Sequence, residues 1–171
     1  NAGESCIGAN RFYVHHTRAE EFSSGLAQAM STLVLGEGMK EGVDVGPLVN
    51  ASTINKVEQL VDQAVELGAK VLTGGARLAG PGFFYQPTVL VDIPKHADIL
   101  REEIFGPVAP IVTFTTQDEV IVAANDTVFG LAAYVIGANV GNALAVAEKL
   151  DAGVLGVNRG FISDPAAPFG G

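Results

Sequence analysis

The sequence predicts an α/β domain with a largely parallel sheet, and three observations carry the prediction. Strand-like and helix-like segments alternate along the chain, as βαβ units require. The 171 residues, 48% of them hydrophobic, suffice for a sizeable core and read as one domain over 1–171. No stretch has the uninterrupted apolar length of a membrane span, so the apolar residues belong to that core.

After an opening loop, "RFYVHH" at 11–16 is rich in aromatic and β-branched residues and reads as a strand. Phe22, Leu26, Ala29, Met30 and Leu33 then recur at helical spacing, which predicts an amphipathic helix over 18–33. Thr17 is its expected cap, with Glu20 and Glu21 in the first turn where the helix dipole favours negative charge. A Gly-rich linker separates it from a second helix over 51–68. That helix has Ile54, Val57, Val61, Ala64 and Val65 on one face and Gly68 as its stop. "KVLTGG" is a short strand and turn, and Pro81 and Pro87 confine the next strand to about 87–93. "HADILREEI" is a helical turn. Strand "APIVTFT", helix "DEVIVAAN", strand "LAAYVIG", helix "GNALAVAEKL" and strand "GVLGV" complete the alternation.

Charge and cysteine content narrow the function. With 19 acidic against 10 basic residues the net charge is −9, which disfavours nucleic acid and anionic membranes as partners. One cysteine cannot form an intramolecular disulfide, so a reducing, cytoplasmic setting fits best. The chain starts without Met or a signal-peptide pattern and stops at "APFGG", and it is read as a piece of a longer protein.

Ligands of parallel α/β sheets bind in loops beyond the strand ends. Three loops qualify: the opening one with Cys6, "REEIFGPV" at 101–108, and "NRGFISDPAAPFGG" at 158–171. Cys6 admits two readings, a small buried hydrophobe or a nucleophile. Gly3, Gly8 and Ala2 leave space for a substrate, and a helical turn starting near Cys6 would favour a thiolate; the charge of Glu4 would oppose it. His15, His16 and His96 do not complete a Cys–His hydrolase pattern, and no Cys/His cluster has the spacing of a metal site. Glu102, Glu103 and Phe105, taken alone, read as a solvated face beside a core aromatic.

Taken together, "NAGESC" with "ANRFYV", "EEIFGPVAPI", "ANDTVFGLAAYV" and "GVNRGFISDPAAPFGG" resemble, in order and over essentially the whole chain, the NAD(P)-dependent aldehyde dehydrogenases. The likeness is nearest to succinate-semialdehyde dehydrogenases, through "ANDTVFGLAAY" and "GFIS…APFGG". The resemblance implies the three-layer α/β/α catalytic domain of that family. It implies Cys6 as the nucleophile, its backbone N–H as part of an oxyanion hole, and NAD or NADP as cofactor. Glu103 would bind the nicotinamide ribose, Phe105 would line the nicotinamide pocket, and Ser163 and Phe169 would line the substrate pocket. Asn158 and Pro168 would shape the closing loop.

Two departures stand out: Glu4 replaces the glutamine usual in the family, and Gly8 occupies the place where some semialdehyde enzymes carry a second, redox-active cysteine. The resemblance implies that the cofactor domain, the general-base glutamate, the oxyanion-hole asparagine, a substrate-binding arginine and the subunit-pairing segment are to be expected outside this chain. The parent enzyme is accordingly expected to be a homo-oligomer taking a small aldehyde, with succinic semialdehyde first in line. The alternatives are another aldehyde, thiol esterase activity alone, or an isolated lobe without catalysis. The loops at 101–108 and 158–171 are expected to be the least ordered parts of the site.

Overall fold

A computed structural model describes all residues 1–171. Its strands are β1 (Phe12–His15), β2 (Lys70–Thr73), β3 (Thr88–Val91), β4 (Val108–Phe114), β5 (Ala132–Val135) and β6 (Val154–Val157). Its helices are α1 (Ala19–Ser31), α2 (Ala51–Glu66), α3 (Gln117–Asn125) and α4 (Val140–Ala147), with short 3-10 turns at His16–Arg18 and Asp98–Leu100. The predicted alternation is therefore present element by element, and the fold is α/β with mostly parallel strand pairing.

The strands fall into two sheets. One has the order β1-β4-β3-β2, the other pairs β5 with β6. Pairs β3/β4 and β5/β6 are parallel, while β2 runs antiparallel to β3. The chain divides accordingly into two compact units: Asn1–Ser5 with Asn10–Thr113, and Cys6–Ala9 with Phe114–Gly171.

In the first unit the sheet is covered on both faces, and strand alternation explains how. Val89 and Val91 of β3, with Ala109 and Ile111 of β4, point to one face and meet Leu26, Ala27 and Met30 of α1. Leu90 and Val108 point the other way, into a larger core with Ile54, Val57, Leu60, Val61 and Ala64 of α2. Helix, sheet and helix thus form three layers.

The α2 face matches the sequence pattern except at two positions. Leu60 is buried where it was not expected, and Val65 is 41% exposed. Asn50 caps the helix by accepting from Thr53 N at 2.9 Å. At the other end Gly68, with φ 111°, donates to Val65 O, and Ala69 donates to Ala64 O. That is the paired bonding of a glycine-terminated helix.

Helix α1 departs further from expectation. Its inward stripe is Ser23, Leu26, Ala27 and Met30, while Phe22, Ala29 and Leu33 are exposed. Small residues at 23 and 27 let the helix approach the sheet, and Ser23 Oγ satisfies itself on Glu20 O at 3.2 Å. Phe22 stands at the flank against the Phe12 ring, 6.3 Å between centroids. Thr17 is not the cap: it lies in the 3-10 turn, where its N–H donates to His15 Nδ1, and Arg18 takes the cap position without a side-chain bond.

In the second unit α4 connects β5 to β6 and buries Ala143 and Ala147. Polar caps fix both helices there, Thr116 accepting from Glu119 N and Asn139 from Asn142 N.

Candidate active site

The approach to Cys6 is a tight turn built from two left-handed residues. Ala2 and Gly3 have φ of 52° and 74°, and Glu4 N closes the turn on Asn1 O at 2.9 Å. Only glycine fits at the second place, because a Cβ on Gly3 would collide with the Gly106 carbonyl. The Glu4 carboxylate accepts the Val49 N–H at 3.0 Å. The expected helix start at Cys6 is absent; Cys6 and Ile7 form an isolated turn, and the thiol is exposed.

The first unit joins the flanks of this turn to the 101–108 loop. Besides the Gly3–Gly106 contact, Asn10 donates from Nδ2 to Glu102 O at 2.8 Å and accepts at Oδ1 from Ile104 N at 2.9 Å. One amide side chain thereby acts as a strand partner for the loop. Lys56 donates to Glu103 O at 2.9 Å and lies 5.8 Å from the Phe105 ring centroid. Ile104, Gly106 and Pro107 are buried. The loop expected to be loosely ordered is thus packed and bonded from three sides.

Phe105 has φ 48°, an uncommon conformation for a bulky residue that costs about 1–2 kcal/mol. Bonds on either side hold it there, Ile104 N on Asn10 and Val108 N on Gly106 O at 2.8 Å. Glu103 is half-buried, and its carboxylate takes no bond from the chain's own donors.

The second unit holds Cys6 together with the closing loop. Tyr134 of β5 donates its hydroxyl to Ile7 O at 2.8 Å. Asn158, with φ 53°, accepts from Gly137 N at 2.8 Å and donates to Gly137 O at 3.0 Å, tying the exits of β5 and β6. Ile162 is buried, whereas Ser163 and Phe169 are exposed, Phe169 at 60%. Asp164 folds the loop on itself, Oδ1 accepting from Ala166 N and its carbonyl from Ala167 N. The residues singled out from sequence therefore separate into Glu103 and Phe105 in one unit and Cys6, Ser163 and Phe169 in the other.

The model of the aldehyde dehydrogenase family matches residues 1–171, the whole chain. The chain belongs to the aldehyde dehydrogenase family. It is 49% identical to a succinate-semialdehyde dehydrogenase of Paenarthrobacter nicotinovorans over 100% of its length and 38% of the relative's. It is 44% identical to the succinate-semialdehyde dehydrogenase [NADP(+)] of Escherichia coli K12, covering 36% of that protein. Identity is also 44% to a glutarate-semialdehyde dehydrogenase of Pseudomonas putida KT2440, with 35% covered. Among solved structures, the NAD+ complex of an aldehyde dehydrogenase from Bacillus cereus superposes with a TM-score of 0.94. The identity is 36%, covering 99% of this chain and 34% of that one. The chain thus spans little more than a third of the length of the curated relatives it matches.

Family motifs pointed to Cys6, Glu103, Phe105, Ser163 and Phe169, but not to Asn10, Lys56 or Tyr134. The bonds of those three reach main-chain atoms distant in sequence, 92 residues away for Asn10 and 127 for Tyr134. No periodicity marks such a residue, and Asn10 could be suspected only as a polar residue placed just before a strand.

Proposed function

We propose that the chain is the catalytic part of an NAD(P)-dependent aldehyde dehydrogenase acting on a semialdehyde with a distal carboxylate, with succinic semialdehyde the leading candidate. The observation that carries this reading is an exposed thiol on a turn whose flanking residues are fixed by Gly3, Glu4 and Asn10. An anchored, accessible Cys6 can attack an aldehyde carbon, forming a C–S bond as the carbonyl oxygen takes up charge. The Cys6 backbone N–H is the chain's own donor toward that oxygen. Glu103 and Phe105 would hold NAD(P), which would supply a hydride acceptor for oxidation of the adduct. Water attack on a thioester at Cys6 would return the thiol and release the carboxylic acid.

Glu103 would accept hydrogen bonds from the nicotinamide ribose, and Phe105, held in its strained conformation, would form a wall of the nicotinamide site. Ser163 would donate to the distal carboxylate and Phe169 would pack on the substrate chain. A small hydroxyl at Ser163 suits a carboxylated substrate better than an apolar one, which supports the semialdehyde reading. The single unpaired cysteine is compatible with a reducing, cytoplasmic setting, and no helix is long and apolar enough to cross a membrane.

Intact-mass analysis after exposure to p-nitrophenyl acetate tests the nucleophile. One acetyl adduct is expected, lost in Cys6→Ala; no adduct on the folded chain refutes the assignment. Substrate choice is read on the full-length protein by comparing kcat/KM for succinic semialdehyde, glutaric semialdehyde and butyraldehyde. Equal values for the carboxylated and uncarboxylated substrates would overturn the Ser163 role.

A further inference from the structure

We propose that Tyr134 is a positioning residue for the nucleophile, holding the Cys6–Ile7 turn and the closing loop in one fixed relation. This rests on the reading of Cys6 as the nucleophile. Residues Cys6–Ala9 leave the unit of their sequence neighbours and join the one containing β5, β6 and the closing loop. The hydrogen bond from Tyr134 Oη to Ile7 O, 2.8 Å long, is made to the residue immediately after the thiol. It fixes the carbonyl of Ile7, and through it the Cys6–Ile7 turn that no helix stabilises.

The ring of the same tyrosine packs on Gly156, where Ile162 of the closing loop packs as well. Gly156 of β6 is buried, and a Cβ there would lie 3.0 Å from Tyr134 Cδ1, 2.7 Å from Ile162 Cγ2 and 3.2 Å from Arg159 O. Tyr134 and Ile162 therefore meet over a glycine that leaves just enough room for both, and Ile162 is the residue before Ser163. One side chain thus bonds at its hydroxyl to the turn that carries the thiol, and its ring packs on the same strand glycine as the residue preceding Ser163. Partial burial raises the Tyr134 pKa above its ordinary 10, so the phenol remains a hydrogen-bond donor throughout the neutral and mildly alkaline range.

The test uses Tyr134→Phe, which removes only the hydroxyl, and Gly156→Ala, which retains the hydroxyl but displaces the ring that carries it. Two readouts are taken on the full chain: hydrogen exchange by mass spectrometry, and the acetylation rate of Cys6 by p-nitrophenyl acetate. Loss of one hydrogen bond corresponds to about a fivefold change in turn opening. Exchange in the peptide over 1–14 should rise by about that factor in Tyr134→Phe, with exchange over β5 and β6 unchanged. The acetylation rate constant should fall severalfold at saturating ester, with the half-saturating concentration unchanged.

A merely structural role would instead raise exchange across β5 and β6 together with the turn. That result, or unchanged exchange over 1–14, overturns the proposal. Gly156→Ala should reproduce the rise at 1–14, and it decides the matter by itself if Tyr134→Phe does not fold. If the wild-type chain is not acetylated, the nucleophile reading fails, and the exchange data still decide whether Tyr134 holds the turn.

Discussion

Replacing Tyr85 by Phe should stabilise the first unit. Tyr85 is 1% exposed, and its hydroxyl is the one buried side-chain polar atom without a hydrogen-bond partner. A buried hydroxyl left unbonded costs about 1–3 kcal/mol, and Phe retains the ring that fills the site. The expected gain is about 1 kcal/mol, or a rise in Tm of about 2–4 °C for a chain of this size. An alkaline signature should accompany it. Burial, reinforced by the charges of Asp62 and Glu58, pushes the Tyr85 phenol well above its ordinary 10.0. Above pH 10 the unfolded chain therefore loses this proton while the folded chain keeps it. Fewer protons on the unfolded state make stability fall as pH rises, with a limiting slope of about 1.4 kcal/mol per pH unit for one group. Phe at this position removes that contribution, so the advantage of the variant should widen between pH 8 and pH 11. The chain has no tryptophan, so urea unfolding is best followed by far-UV circular dichroism at both pH values. A loss of stability at pH 8, or an advantage that does not grow at pH 11, would refute the reasoning. The first result would mean that a water bridges the hydroxyl to Asp62 or Glu58.

Other predictions concern the anchors of the site. Asn10→Ala removes both bonds to Glu102 O and Ile104 N, and it should cost about 1–3 kcal/mol in urea unfolding while speeding hydrogen exchange over 101–106. Gly3→Ala combines a positive φ with a collision at the Gly106 carbonyl, and should destabilise the chain by more than about 2 kcal/mol in the same assay.

Periodicity made the fold legible wherever burial alone decides the outcome. The α2 stripe, the strand boundaries near Pro87 and the Gly68 stop are each set by one local rule, and each is found close to its expected place. Helix α1 was harder to read because its sequence offers two apolar stripes. Packing selected the one with small residues at 23 and 27, a choice that depends on how closely the helix meets β3 and β4. The cap at Thr17 failed because its Oγ1 pairs with His15 Nδ1 at 2.8 Å inside a 3-10 turn. At the site, motif resemblance led to the candidate chemical side chains and to Asn158 as a residue shaping the closing loop, where it bonds the Gly137 main chain. Asn10, Lys56 and Tyr134 stayed invisible: each bonds to a main-chain group, and any polar residue of the right reach looks the same in a sequence.

That division of labour also explains how Glu4 can stand where the family usually has glutamine. The side chain acts here as an acceptor, Oε1 taking the Val49 N–H at 3.0 Å, and a glutamine amide oxygen offers the same acceptor at the same reach. What the position requires is an acceptor of that length, and the charge is incidental to the anchor. Glu4→Gln should therefore keep the entry turn in place, with the exchange rate of the Val49 amide within about twofold of the native chain. Glu4→Ala removes the acceptor and should raise that rate by about fivefold, the equivalent of one hydrogen bond exposed to solvent. Two-dimensional NMR of both variants separates the cases. Equal acceleration in Gln and Ala would mean that the negative charge, rather than the acceptor oxygen, holds the segment leading to Cys6.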